Sequence, residues 1–203
     1  MFCGIVECIG KVVSVEREQG SVRFRIISPL AGRLQAGQSV AHDGVCLTVT
    51  NTGPDWHEVI VTTETLRRSN LGLKSAGDAV NLERSLTLQS FVDGHLVLGH
   101  VDVVARCLKI RQEGNSKWLT FGVPKKKFAP LLVEKGSVCL NGVSLTVSDC
   151  STKKFSVVII PYTLEHTTFQ WIKEGELVNV EFDIIGKYLV RFAERYSKMD
   201  KNK

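Results

Sequence analysis

Long apolar runs are missing from this 203-residue sequence: none approaches the ~20 residues that a membrane-spanning helix needs. The opening Met1-Phe2-Cys3-Gly4-Ile5-Val6-Glu7 lacks a basic start and an apolar stretch, so no secretory signal is expected there. Cys3, Cys8, Cys46, Cys107, Cys139 and Cys150 form no CxxC pair and no metal-ligand spacing with histidine. A zinc site and a disulfide scaffold are therefore both unexpected, and the thiols read as reduced, mostly buried small hydrophobes in a cytoplasmic compartment. GxGxxG, P-loop, GxSxG and HExxH motifs are all absent, so neither a phosphate-activating site nor a conventional serine hydrolase is supported. What remains, 43% hydrophobic and 23% charged residues, is the balance of an ordinary globular protein with a sizeable core.

Acidic charge is also the scarcer sign, 21 residues against 26 basic, for a net +5. The excess is local: Lys125-Lys126-Lys127, Lys153-Lys154 and the tail from Lys198 to Lys203. These runs sit beside turns or at the terminus, without interleaved aromatics, so they read as solvated surface. No nucleic-acid partner is expected. No lipidation motif supports a membrane attachment.

The sequence repeats itself. Asp43-Gly44-Val45-Cys46-Leu47-Thr48-Val49 matches Asn141-Gly142-Val143-Ser144-Leu145-Thr146-Val147, Glu64-Thr65-Leu66 matches Tyr162-Thr163-Leu164, and Val80-Asn81-Leu82-Glu83 matches Val178-Asn179-Val180-Glu181. All three pairs share an offset of 98 residues, as in Asp43 to Asn141. Chance matches scatter in offset; agreement means a duplicated unit, and two long repeats mean two similar domains that join near Gly94 to Val101. Each unit reads as β-rich. Val22, Phe24 and Ile26, and again Leu119, Phe121 and Val123, alternate with polar residues, while Glu58 to Thr63 and Phe155 to Ile160 are β-branched runs. Short strands punctuated by Gly, Asn and Asp favour an all-β fold of two small closed barrels in tandem. Pro29 to Gly37 and Pro124 to Gly136 read as a short helix in each unit. Leu189, Phe192, Ala193 and Tyr196, at i, i+3, i+4 and i+7, predict a C-terminal amphipathic helix outside the repeat, suited to subunit association.

Alternation places Cys46 with Thr48 on one strand face, and Ser144 with Thr146 on its equivalent. Small polar pairs kept at the same place in both repeats point to two related small-molecule pockets. His95 and His100, bracketed by Gly94 and Gly99 at the domain junction, are functional candidates. They have no third ligand at a helpful spacing for a metal. His42, His57 and His166 carry no such signal.

These residues, with Glu-Thr-Leu-Arg-Arg-x-Asn-Leu-Gly, Val-Asn-Leu-Glu-Arg, Gly-His-x4-His-Val-Asp and Ile-Pro-x-Thr-Leu, closely resemble the riboflavin synthase family, alpha-chain type, in order from Met1 to about Arg191. The resemblance implies six-stranded Greek-key barrels over residues 1–97 and 98–186, with a trimerising helix and basic tail over 187–203. It implies a homotrimer without metal or organic cofactor, and leaves association with lumazine synthase open. The implied reaction is a dismutation: one 6,7-dimethyl-8-ribityllumazine gives a four-carbon unit to another, forming riboflavin and 5-amino-6-ribitylaminouracil. A lumazine- or flavin-binding antenna protein of the same fold is the alternative.

Carried over by position, the first-barrel pocket comprises Gly4, Ile5 and Val6; Ser39; Cys46, Leu47 and Thr48; Ile60, Val61, Thr62, Thr63, Glu64 and Thr65; and Gly99, His100 and Val101. The second comprises Lys135; Ser144, Leu145 and Thr146; Val158, Ile159, Ile160, Pro161, Tyr162 and Thr163; and Asp183. His100, Ser144, Cys46, Asp183 and Lys135 are the implied catalytic set. Histidine can move protons near neutral pH, while Ser144, Cys46 or a bound hydroxide remain alternatives as nucleophile. Cys3, Asp93, Leu98, Val103 and Asn141 depart from the usual family residues, and none of them removes an implied catalytic group.

Overall fold

Period-two alternation is realised as twelve antiparallel strands among the described residues, 1–200, of a computed structural model. Lys201, Asn202 and Lys203, the end of the basic tail, lie outside the described residues. The first repeat contributes β1 (Cys8–Glu18), β2 (Ser21–Ile27), β3 (Ser39–His42), β4 (Val45–Thr52), β5 (Trp56–Thr62) and β6 (Ala79–Arg84). The second contributes β7 (Val103–Glu113), β8 (Ser116–Gly122), β9 (Ser137–Leu140), β10 (Val143–Cys150), β11 (Lys154–Ile159) and β12 (Leu177–Phe182). Each set closes on itself: β1-β2-β5-β4-β3-β6 in the first barrel, β7-β8-β11-β10-β9-β12 in the second. Bulges fall at matching places, between Val49 and Asn51 and between Val147 and Asp149. An extra residue there bends the strand and lets so small a sheet close.

Inward residues of each strand form two separate cores, around Phe24, Val59 and Leu82 in one barrel and Phe121, Phe155 and Val180 in the other. Outward residues of β4 and β10 include Cys46, Thr48, Ser144 and Thr146, as alternation predicted. The expected helices after Pro29 and Pro124 are only 3-10 turns, Ala31–Arg33 and Lys126–Leu131. Two short helices that periodicity did not suggest, α1 (Thr63–Arg68) and α2 (Pro161–His166), leave the ends of β5 and β11. The C-terminal helix α3 (Ile184–Asp200) starts directly after β12, earlier than residue 187.

The barrels meet across a buried polar seam. Asp43-Gly44 and Asn141-Gly142 are two-residue hairpin turns with all four φ angles positive, the conformation such turns require. Their tips abut: a Cβ on Gly44 would stand 2.7 Å from the Gly142 nitrogen. Asn81 Nδ2 donates to the Asn141 carbonyl at 2.9 Å, and Asn179 Nδ2 donates to the Asp43 carbonyl at 2.8 Å. Each hairpin is thus held by an asparagine of the other repeat.

The repeats differ inside the barrels. The first encloses His42 and His57, whose Nε2 atoms are 2.8 Å apart, where the second has Leu140 and Phe155. His42 Nδ1 donates to the Val40 carbonyl at 3.1 Å, so its Nε2 accepts from His57 and leaves His57 Nδ1 without a protein partner. Burial lowers both pKa values from 6.5, to about 3 for His42, where the neighbouring His57 also contributes, and to about 4 for His57.

Between pH 6.5 and about 4 the unfolded chain therefore takes up protons that the native chain refuses. Stability present above pH 6.5 falls as pH falls, by up to ~1.4 kcal/mol per unit for each histidine. His42→Leu with His57→Phe, the pair already used by the second barrel, should flatten this dependence. Urea unfolding at pH 7 and pH 5 checks it: equal losses in wild type and variant would show that the pair is not the source.

Candidate functional site

Two short segments cross between the barrels. Phe2 and Val97 form an isolated antiparallel bridge, and beyond it each chain segment runs onto the opposite barrel. The Ser144 amide donates to the Gly4 carbonyl at 2.8 Å, and the Cys46 amide donates to the Gly99 carbonyl at 2.9 Å. The approach is close enough that only glycine fits. A Cβ on Gly4 would meet the Ser144 Cβ at 2.6 Å, and one on Gly99 would meet the Cys46 Cβ at 2.5 Å. Val6 packs on the second core and Val101 on the first.

Two carboxylates fix these segments. Glu83 accepts the amides of Cys3 (2.7 Å) and Gly4 (3.1 Å), and the Cys3 thiol at 3.3 Å. Glu181 accepts those of Leu98 (2.7 Å) and His100 (2.9 Å). Burial raises the pKa of both carboxyls, and the amide bonds offset part of that.

Around the first barrel, Cys46 and Ile60 are half-buried, and Thr48, Thr62, Thr63, Glu64 and His100 are exposed. Leu47 and Val61 point into the core instead. Ser39 lies opposite Thr48 across the β3–β4 pair. Thr65 and Val101 are half-buried at the edge of this open face, and Gly99 is buried against Cys46.

The second barrel presents the matching face. Ser144, Val158, Thr163 and Asp183 are half-buried, while Thr146, Ile160, Pro161, Tyr162 and Lys135 are exposed. Leu145 and Ile159 are core residues. Gly4 and Val6, placed by sequence with the first barrel, belong here because the segments cross. Ile5 is the residue between them, and its side chain is exposed.

Histidine placement also differs from expectation. His95, which the implied catalytic set leaves out, has Nδ1 2.7 Å from Ser144 Oγ. Burial lowers its pKa, partly offset by the negative charge of Asp183, so the ring is neutral at neutral pH. In the tautomer protonated at Nε2, Nδ1 accepts the Ser144 hydroxyl proton; Nε2 is buried without a protein partner. Asp183 also caps α3, accepting the Ile185 amide at 3.0 Å. The available signal for His95 was its neighbour Gly94, whose close contact with Ser144 admits no side chain.

Lys135 sits at φ +64°, where the equivalent residue of the first barrel is Gly37 at φ +90°. Both amides donate 2.8 Å bonds to equivalent carbonyls, of Val147 and Val49. A lysine is thus held in a left-handed backbone conformation that glycine adopts more readily. A cavity of about 490 Å³ lies behind the first crossing segment, lined by Cys3 and Glu83 and, of the implied pocket residues, by Ile5 and Ser39. Among the described residues, no group of three or more His, Cys, Asp or Glu is placed to hold a metal ion.

Comparison with known proteins follows this geometry. The family described as lumazine binding domain matches the chain twice, over residues 3–85 and 98–183. Riboflavin synthase of Brucella abortus (strain 2308) is 38% identical over 200 residues, covering 96% of this chain and 98% of that protein. That of Escherichia coli (strain K12) is 36% identical, covering 96% and 92%. A crystal structure of LumP complexed with 6,7-dimethyl-8-(1'-D-ribityl) lumazine superposes with a TM-score of 0.81 at 22% identity, covering 89% of this chain and 98% of that one, and it shares the fold.

Lys135→Gly should leave stability unchanged or raise it by about 0.5–1 kcal/mol, because relief of ~1–2 kcal/mol of left-handed strain exceeds the added freedom of the unfolded chain. Denaturant melts test this. A loss above 1 kcal/mol would make Lys135 a folding residue.

Proposed function

The chain belongs to the riboflavin synthase family, with two lumazine-binding domains in one polypeptide, and from that premise we propose that it catalyses the dismutation of two 6,7-dimethyl-8-ribityllumazine molecules. One substrate transfers a four-carbon unit to the other, giving riboflavin and 5-amino-6-ribitylaminouracil. The observation that carries this reading is the pair of equivalent but chemically unequal faces, Cys46–Thr48 beside His100 and Ser144–Thr146 beside His95. A reaction between two copies of one substrate needs two similar sites, and unlike roles for donor and acceptor need unlike groups.

In this reading neutral His95 takes the proton of whichever oxygen adds to C7 of the lumazine on the second barrel, directly from the Ser144 hydroxyl or, through Ser144, from a water that it orients. The adduct later expels that nucleophile, so none is consumed. His100 borders the first-barrel site, where it can move the proton lost from the 7-methyl group of the other lumazine. Holding the two rings stacked contributes up to ~7–11 kcal/mol in favourable cases. Both faces are open in one chain, so the working site is completed by a neighbouring subunit. The exposed stripe of Ile185, Tyr188, Leu189, Phe192 and Tyr196 on α3 supports association as a homotrimer. Six unpaired thiols fit a reducing, cytoplasmic compartment.

Purified protein given the lumazine alone, with a chelator present, should form riboflavin. Binding without turnover would instead favour the antenna-type alternative. Ser144→Ala, His95→Gln and His100→Gln should each retain lumazine binding and lower turnover by ~10²–10⁴-fold. Fluorescence titration and riboflavin absorbance on the same samples decide between catalysis and binding; a parallel loss of both would remove the residue from the chemistry. The acid limb of the rate profile should lie below the ordinary histidine value of 6.5, following the lowered pKa of His95.

Truncation after Gly186 should give smaller species in light scattering and sharply lower activity. A fully active assembly after that truncation would remove α3 from the argument.

A further inference from the structure

The two crossing segments end in the same way, with one exception. In each, the last residue of the segment is an acid whose amide donates to the strand behind it, Glu7 to the Leu82 carbonyl and Asp102 to the Val180 carbonyl, both at 2.9 Å. Each acid also accepts an amide from that strand, of Arg84 at 2.8 Å and of Phe182 at 2.9 Å. In the first segment the Arg84 side chain then closes an ion pair with Glu7 at 2.7 Å. The residue equivalent to Arg84 is Phe182, which is buried and apolar, so the second strand has no cation to offer. The cation comes from α3 instead: Lys187 Nζ lies 2.6 Å from Asp102 Oδ2.

We propose that Lys187 is a positioning residue, which locks the segment carrying Gly99 and His100 onto the first-barrel site through Asp102. The acid that ends the first wall is ion-paired by its own barrel, and the acid that ends the second is ion-paired only when the C-terminal helix is seated. Both partners of the pair are only 23% exposed, so the contact is partly shielded from water and salt. The helix that carries Lys187 also carries the exposed stripe assigned to association, so seating of α3 and placement of His100 are one event. The link to catalysis rests on the function proposed above; the placement itself does not.

The test uses the full chain with Lys187→Met, Lys187→Arg and Asp102→Asn, the last of which keeps an acceptor for the Phe182 amide. Lys187→Met should keep the wild-type mass in light scattering and lower kcat by ~10–100-fold, as small misplacement of a reacting group does. KM should move by no more than about threefold, and Lys187→Arg should restore kcat to within about threefold. Hydrogen exchange should quicken at amides 98–102 in Lys187→Met and Asp102→Asn, and stay unchanged at amides 3–7. A general destabilisation would move both segments alike, and that result would overturn the proposal. So would an unchanged kcat in Lys187→Met, an arginine variant as slow as the methionine one, or loss of mass accompanying the loss of rate in Lys187→Met and Asp102→Asn. If wild type formed no riboflavin, the proposed reaction would fall, and the exchange at 98–102 would still decide the role of Lys187.

Discussion

A carboxylate gripping two backbone amides is the interaction on which the site depends, and it occurs twice. Glu83 and Glu181 are buried, and burial alone would drive a carboxyl towards its neutral form. Their acceptor atoms are matched to amides of extended segments that have crossed away from their own sheets. Those amides would otherwise be stranded beside the junction without partners, at ~1–3 kcal/mol each. With the grip in place, Gly4 is pressed on Ser144 and Gly99 on Cys46, and each strand bearing a small polar pair acquires a wall.

Duplication, strand content and the two small polar faces were all legible in the sequence, because a 98-residue offset and period-two alternation are local signals. The resemblance named the wall segments but not the crossing that sets which barrel the first of them serves. Phe2 to Glu7 and Val97 to Asp102 are related by 95 residues rather than 98, and which barrel a segment serves is decided only when the chain crosses. His95 and His100 are alike as letters; packing alone sets one against Ser144. The buried histidine pair did have a signal, since the second repeat carries Leu140 and Phe155 at the places of His42 and His57. The short helices after β5 and β11 had none, being six residues long and free of any apolar period.

The linker between the repeats adds to the difference between the two faces. Each wall segment brings an equivalent residue to its site, Ile5 to the second barrel and His100 to the first. The second barrel gains an extra histidine from the linker itself, and a lysine in place of a glycine at its β9 turn.

Because each wall belongs to the other repeat, an isolated barrel would lack part of its own site. Two separate copies could restore it only by trading their terminal strands, as domain-swapped dimers do. Such a dimer would dilute apart at low concentration. Joining the copies makes the exchange intramolecular, at an effective concentration that for short linkers reaches ~mM whatever the abundance of the protein. The crossed segments therefore make each half of the molecule a structural support for the small polar face of the other.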